Sequence, residues 1–98
     1  MITENTNMKN AQYLKSVILE LRPNVSVKII EGDYNLYKLG FVPDIPCTIV
    51  IDMDYDEVKR LLCELDQLES NAYGSYASKS DREKYDRYCE LQTFLFYI

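Results

Sequence analysis

Thr48-Ile49-Val50-Ile51-Asp52-Met53-Asp54-Tyr55-Asp56-Glu57 runs from an apolar strand straight into a cluster of carboxylates. The apolar run has strand length, and its unbroken character predicts burial on both faces of a sheet. Aspartates then fill the turn. Asp54 followed three residues later by Glu57 has the form of a capping box, so a helix starts there. Val58, Leu61, Leu62, Leu65 and Leu68 recur at the three- and four-residue steps of its apolar stripe.

Upstream, Pro43-Asp44-Ile45-Pro46 breaks the pattern before the strand at 47–51. Residues 34–42, with Leu36 alternating against Lys38, predict another strand. Glu31-Gly32-Asp33 is a turn signal, and Val25, Val27 and Ile29 alternate with Ser26 and Lys28 in a strand over 25–30. The short connection predicts an antiparallel hairpin of these two strands. Residues 8–21 carry a helical period in Met8, Ala11, Leu14, Val17, Ile18 and Leu21, capped by Thr6 or Asn7 and stopped by Pro23. Residues 1–6 are left outside the fold as a flexible start. Downstream, 70–79 reads as a loop. Ser80-Asp81-Arg82-Glu83 reads as a second capping box opening a last helix, with Tyr85, Tyr88, Cys89, Leu91, Leu95 and Phe96 facing inward. The predicted class is α+β in the order α-β-β-β-α-α. A three-stranded antiparallel sheet packs on helices, and the last two helices form a hairpin. Length predicts a single domain over 1–98.

Composition excludes more than it names. The chain has 98 residues, no histidine and three glycines. Without histidine no Ser-His or Cys-His pair is available, and the commonest metal ligand is missing. No GxGxxG or GxxxxGK run cradles a phosphate. The apolar C-terminal run Thr93-Phe94-Leu95-Phe96-Tyr97-Ile98 must dock on the core or a partner. No apolar stretch is long enough to span a bilayer. Met1 to Asn7 lacks the basic and apolar regions of a secretory signal. Three cysteines in apolar-patterned segments predict buried free thiols, and with them a cytoplasmic location.

The charge is concentrated. Residues 52–69 hold seven acids against two bases, which accounts for the whole net charge of −5. Asp52, Asp54 and Asp56 open like an EF-hand calcium loop, but Glu57 and Cys63 occupy the positions where that loop needs glycine and glutamate. A hydrophobic strand ending in Asp52-Met53-Asp54 also resembles the nucleophile motif of haloacid-dehalogenase-type phosphatases. That resemblance covers about seven residues. It implies Asp52 as nucleophile, Asp54 as general acid, a magnesium ion, and a parallel doubly wound sheet with the motif on its first strand. Here the motif follows the third strand, and no βαβ unit follows it. The remaining account is local: Asp54 caps a helix whose N-terminal partial positive charge favours Asp56 and Glu57. No cofactor, metal or catalytic residue is assigned. A magnesium-dependent phosphatase- or nuclease-like site on Asp52 and Asp54 is the alternative.

Nine tyrosines and no tryptophan are the second anomaly. Tyr13, Tyr34, Tyr37, Tyr85 and Tyr88 are expected half-buried at element edges. Tyr73 and Tyr76 sit on the Gly- and Ser-containing loop, a composition suited to binding. Lys79, Arg82, Lys84 and Arg87 alternate with acids, so no basic stripe invites nucleic acid directly. The expectation is a non-enzymatic acidic module that meets a basic protein surface through Asp52, Asp54, Asp56, Glu57, Glu64, Glu69, Tyr73 and Tyr76. Small inhibitors of nucleic-acid-binding enzymes from phages and mobile elements, anti-CRISPR proteins among them, are similar in size, acidity and lack of catalytic residues. A homo-oligomer assembled through Phe94, Phe96 and Ile98 is the third reading.

Overall fold

The computed structural model describes all of residues 1–98, in the order β1 (Ile2–Asn7), α1 (Met8–Leu21), β2 (Val27–Glu31), α2 (Tyr34–Lys38), β3 (Pro46–Ile51), α3 (Tyr55–Tyr73) and α4 (Lys79–Phe96). The class is α+β, with a three-stranded antiparallel sheet and a C-terminal helical pair. The chain divides into two compact units, Met1–Met53 and Asp54–Ile98.

In the first unit the strand order is β1-β3-β2, so the apolar strand is central. Ile2 lies opposite Ile51 and Thr6 opposite Cys47 on one side; Val27 lies opposite Ile51 and Ile29 opposite Ile49 on the other. Those residues share one face of the pleat. Helix α1 packs against the sheet and buries Ala11, Leu14, Val17 and Ile18. Burying its four core residues stabilises by about 1.5–3 kcal/mol for each larger one. The Asn7 side chain caps α1 by accepting from the Asn10 N–H at 2.8 Å.

Two expectations are corrected here. Residues 1–6 are not a loose start: 2–7 form an edge strand, whose pairing satisfies the row of backbone N–H and C=O groups that β3 would otherwise leave open on that edge. Residues 34–42 are not a strand. Asp33 accepts from the Asn35 N–H at 2.9 Å and caps a five-residue helix. Gly40, at φ 79°, ends it, with Gly40 N–H donating to Tyr37 and Phe41 N–H to Leu36. That pair of bonds is a Schellman ending. The hairpin partner of β2 is therefore β3. The burial of β3 also differs from expectation: Cys47, Ile49 and Ile51 are buried, while Pro46, Thr48 and Val50 are only half-covered.

The second unit is a helical hairpin, α3 against α4. Helix α3 buries Val58, Leu61, Leu65 and Ala72, and α4 buries Tyr85, Tyr88, Leu91 and Leu95. The capping box of α4 is two residues earlier than the sequence suggests. Ser78 Oγ accepts from the Asp81 N–H at 3.1 Å, and Asp81 accepts from the Ser78 N–H at 3.2 Å. Phe96, expected inward, is 72% exposed. Of the three free thiols only Cys47 is buried; Cys63 is exposed and Cys89 half-buried. No helix is long and apolar enough to cross a membrane.

Candidate functional site: an acidic and aromatic groove on the helical hairpin

Helix geometry splits the expected site. At 1.5 Å per residue, the 19 residues of α3 place Tyr73 roughly 28 Å from Asp54. At the N-terminal end, Asp54 Oδ1 accepts from the Glu57 N–H at 2.8 Å, and Asp56 and Glu57 lie in the first turn. These three carboxylates are accounted for by the cap and the helix dipole. Asp52, exposed, follows β3, and its N–H donates to the Ser26 carbonyl at 2.9 Å. The strand leading into it is the centre of an antiparallel sheet, whereas the phosphatase resemblance implies a parallel one. No three His, Cys, Asp or Glu side chains converge in a metal-binding group.

Along the helix the remaining acids separate by angle. At 100° per residue, Glu64 and Asp66 point 200° apart, while Asp66 and Glu69 share a flank as an i, i+3 pair. Arg60 lies one turn from Asp56, Glu57 and Glu64, so the Glu64 flank carries its own base. At the other end, Tyr73 is 76% exposed and rests edge-on against the Tyr85 ring, with centroids 5.8 Å apart; Tyr76 is wholly exposed.

The structure brings together a set that sequence reasoning divided. The Gln92 amide nitrogen on α4 donates to Asp66 Oδ1 at 2.7 Å and to Glu69 Oε2 at 3.0 Å on α3. Its amide oxygen accepts from the Tyr85 hydroxyl at 2.6 Å. Both amide hydrogens and the amide oxygen are thus used within the hairpin. Tyr85 is buried, and its pKa is pushed up, first by burial and then by the negative charge of Glu69 with smaller contributions from Cys89, Tyr73 and Asp66. The phenol therefore keeps its proton and its role as donor to Gln92.

This clasp forms one wall of a groove of about 510 Å³ lined by Leu62, Asp66, Glu69, Gln92, Thr93, Phe96 and Tyr97. Phe96 and Tyr97 meet edge to face at 5.4 Å, and both are largely exposed. No lysine or arginine lines the groove. The neutral amide fixes two carboxylates side by side without cancelling either charge. Two π faces stand beside them. Negative oxygens next to aromatic rings suit a cation with an apolar stem, as in a lysine or arginine side chain.

Asp66, Gln92 and Tyr97 are not among the expected site residues; Glu69 is, and Phe96 is expected only as a contact of the homo-oligomer reading. The available signal was the i, i+3 spacing of Asp66 and Glu69 on the flank away from Arg60. What supplied the rest was the register of α4 against α3, which no local pattern contains. No protein-family model, curated protein or solved structure matches the chain.

Proposed function

We propose that the protein is a non-enzymatic module that binds another protein carrying a basic surface, and that the α3–α4 groove takes a lysine or arginine side chain from it. The observation that carries this reading is the clasp: Asp66 and Glu69 share one uncharged donor in a groove without a base. A partner cation would supply the missing positive charge, with Phe96 and Tyr97 against its stem. Charge would speed and steer association, and the aromatic contacts would slow dissociation. The net charge of −5 supports the same direction. In its sharpest form the module is an inhibitor that occupies the basic groove of a nucleic-acid-binding enzyme.

The test titrates an N-acetylated hexa-arginine amide peptide into the full chain by calorimetry. Asp66→Asn with Glu69→Gln removes two charges and keeps the shape; it is expected to weaken binding at least tenfold. Asp56→Asn with Glu57→Gln removes the same charge elsewhere on α3 and is expected to change affinity less than threefold. Equal losses from the two pairs would show that net charge, not the groove, binds the peptide, and the proposal would fail.

A further inference from the structure

The groove on the helical hairpin offers a ligand two acceptors and two rings. Gln92 occupies one oxygen of each carboxylate, Asp66 Oδ1 at 2.7 Å and Glu69 Oε2 at 3.0 Å. Asp66 Oδ2 and Glu69 Oε1 accept no hydrogen bond within the protein. They belong to different side chains, so a ligand that meets both must carry donors pointing in two directions. Glu69 and Leu62 are half-buried, which strips part of the water from that end of the groove. Phe96 closes α4 and Tyr97 follows it, with their ring planes at 89° and their centres 5.4 Å apart. The two residues are 72% and 80% exposed, so neither ring is used by the core. Together they form an aromatic corner beside the paired acids.

We infer that the groove selects arginine over lysine, taking one guanidinium against the aromatic corner with its N–H edges on Asp66 and Glu69. This rests on the reading of the groove as a site for a basic side chain and goes one step further, to the kind of base. Charge does not separate the two candidates, since each carries a single positive charge. Shape and hydration do. A guanidinium spreads five donors over the nitrogens of one plane, so different edges can meet the two free oxygens at once; an ammonium gathers its three donors on a single atom. A flat cation also lies face to face on a ring, which a compact ammonium cannot do. The guanidinium is more weakly hydrated as well, so it gives up less on entering a groove whose Glu69 is already half-buried. Trimethylated lysine fits less well than either, because it brings no N–H to Asp66 or Glu69.

Calorimetry of the full chain with two N-acetylated hexapeptide amides, hexa-arginine and hexa-lysine, reads the preference at matched charge and length. Hexa-arginine is expected to bind at least tenfold tighter. Phe96→Leu with Tyr97→Leu keeps the charge and removes both π faces. It is expected to bring the two peptides within threefold of each other, mainly by weakening hexa-arginine. Both rings are exposed, so far-UV circular dichroism is expected to be unchanged. Equal affinity of the two peptides for the parent chain would overturn the selectivity and leave the basic-partner reading standing. No binding of either peptide would overturn both. An arginine preference that survives loss of the rings would have its source outside the groove, and the inference would fall.

Discussion

Replacing Gln92 by leucine tests the clasp most directly. The substitution removes the acceptor of a 2.6 Å, part-buried hydrogen bond from the Tyr85 hydroxyl and so leaves that hydroxyl without its partner. An unsatisfied buried hydroxyl costs roughly 1–3 kcal/mol. Asp66 is exposed, so water replaces its lost bond at little cost; Glu69 is half-buried and loses more. The expected total is about 2 kcal/mol, reduced slightly by the apolar contact that leucine gains. Tyr85→Phe removes the donor instead and is expected to cost about 1 kcal/mol. Once Gln92 is gone, removing the Tyr85 hydroxyl relieves the stranded group. The double variant is therefore expected to be about 1 kcal/mol more stable than additivity gives. Urea titration followed by far-UV circular dichroism reads all four corners of this cycle, because α3 and α4 hold most of the helical residues. Strictly additive losses, or a Gln92→Leu variant as stable as the parent within about 0.3 kcal/mol, would show that the clasp is an ornament of the surface and not a fastening.

Three further outcomes are expected. Burial and nearby negative charge raise the Tyr85 pKa, so the fold favours the neutral phenol; its contribution is complete below about pH 10 and is lost as pH rises through the elevated value, a loss that Tyr85→Phe removes from a stability-against-pH curve. At Gly32 a Cβ would sit 3.0 Å from the Pro46 carbonyl oxygen, the same oxygen that accepts the Gly32 N–H at 2.7 Å, so Gly32→Ala is expected to cost about 1–3 kcal/mol in urea, and a neutral result would mean that the β2–β3 edge yields freely. A thiol reagent at neutral pH is expected to label exposed Cys63 quickly and buried Cys47 only on unfolding, because burial, with Asp44 and Glu31 nearby, pushes the Cys47 thiol pKa up; equal labelling rates in mass spectra would contradict this.

What the chain discloses locally and what it withholds have physical causes. Helix α1 is legible to the residue because an Asn cap, a 3.6-residue apolar period and Pro23 all agree. The strand at 46–51 and the helix capped by Asp54 are legible for the same reason. Helix α2 reads locally as a strand, although Asp33 and Gly40 bracket it with sound start and stop signals. In five residues an alternation of Leu36 and Lys38 cannot be told from half a helical period. Strand β1 is invisible because Ile2-Thr3-Glu4-Asn5-Thr6-Asn7 has almost no apolar residues; its pairing comes from β3, as far away as Ile51 for Ile2. Of the groove the sequence marks Glu69 as a site residue and Phe96 as an apolar contact, while Tyr73 and Tyr76 lie outside its lining; Gln92 is an unremarkable residue until its register places it between two carboxylates.

That distant pairing also governs how the protein comes into being. Ile2 has no partner until Ile51 has left the ribosome, so the first strand must wait through the making of α1, β2 and α2. The two C-terminal helices need only the five-residue link from Gly74 to Ser78 to find each other. Nearby contacts form fast and distant ones slowly. On refolding of the whole chain the helical hairpin will organise early and the sheet close late, whereas during synthesis Ile51 emerges before either hairpin helix and the sheet can close first. Until it closes, the unfinished strands are what a chaperone would meet.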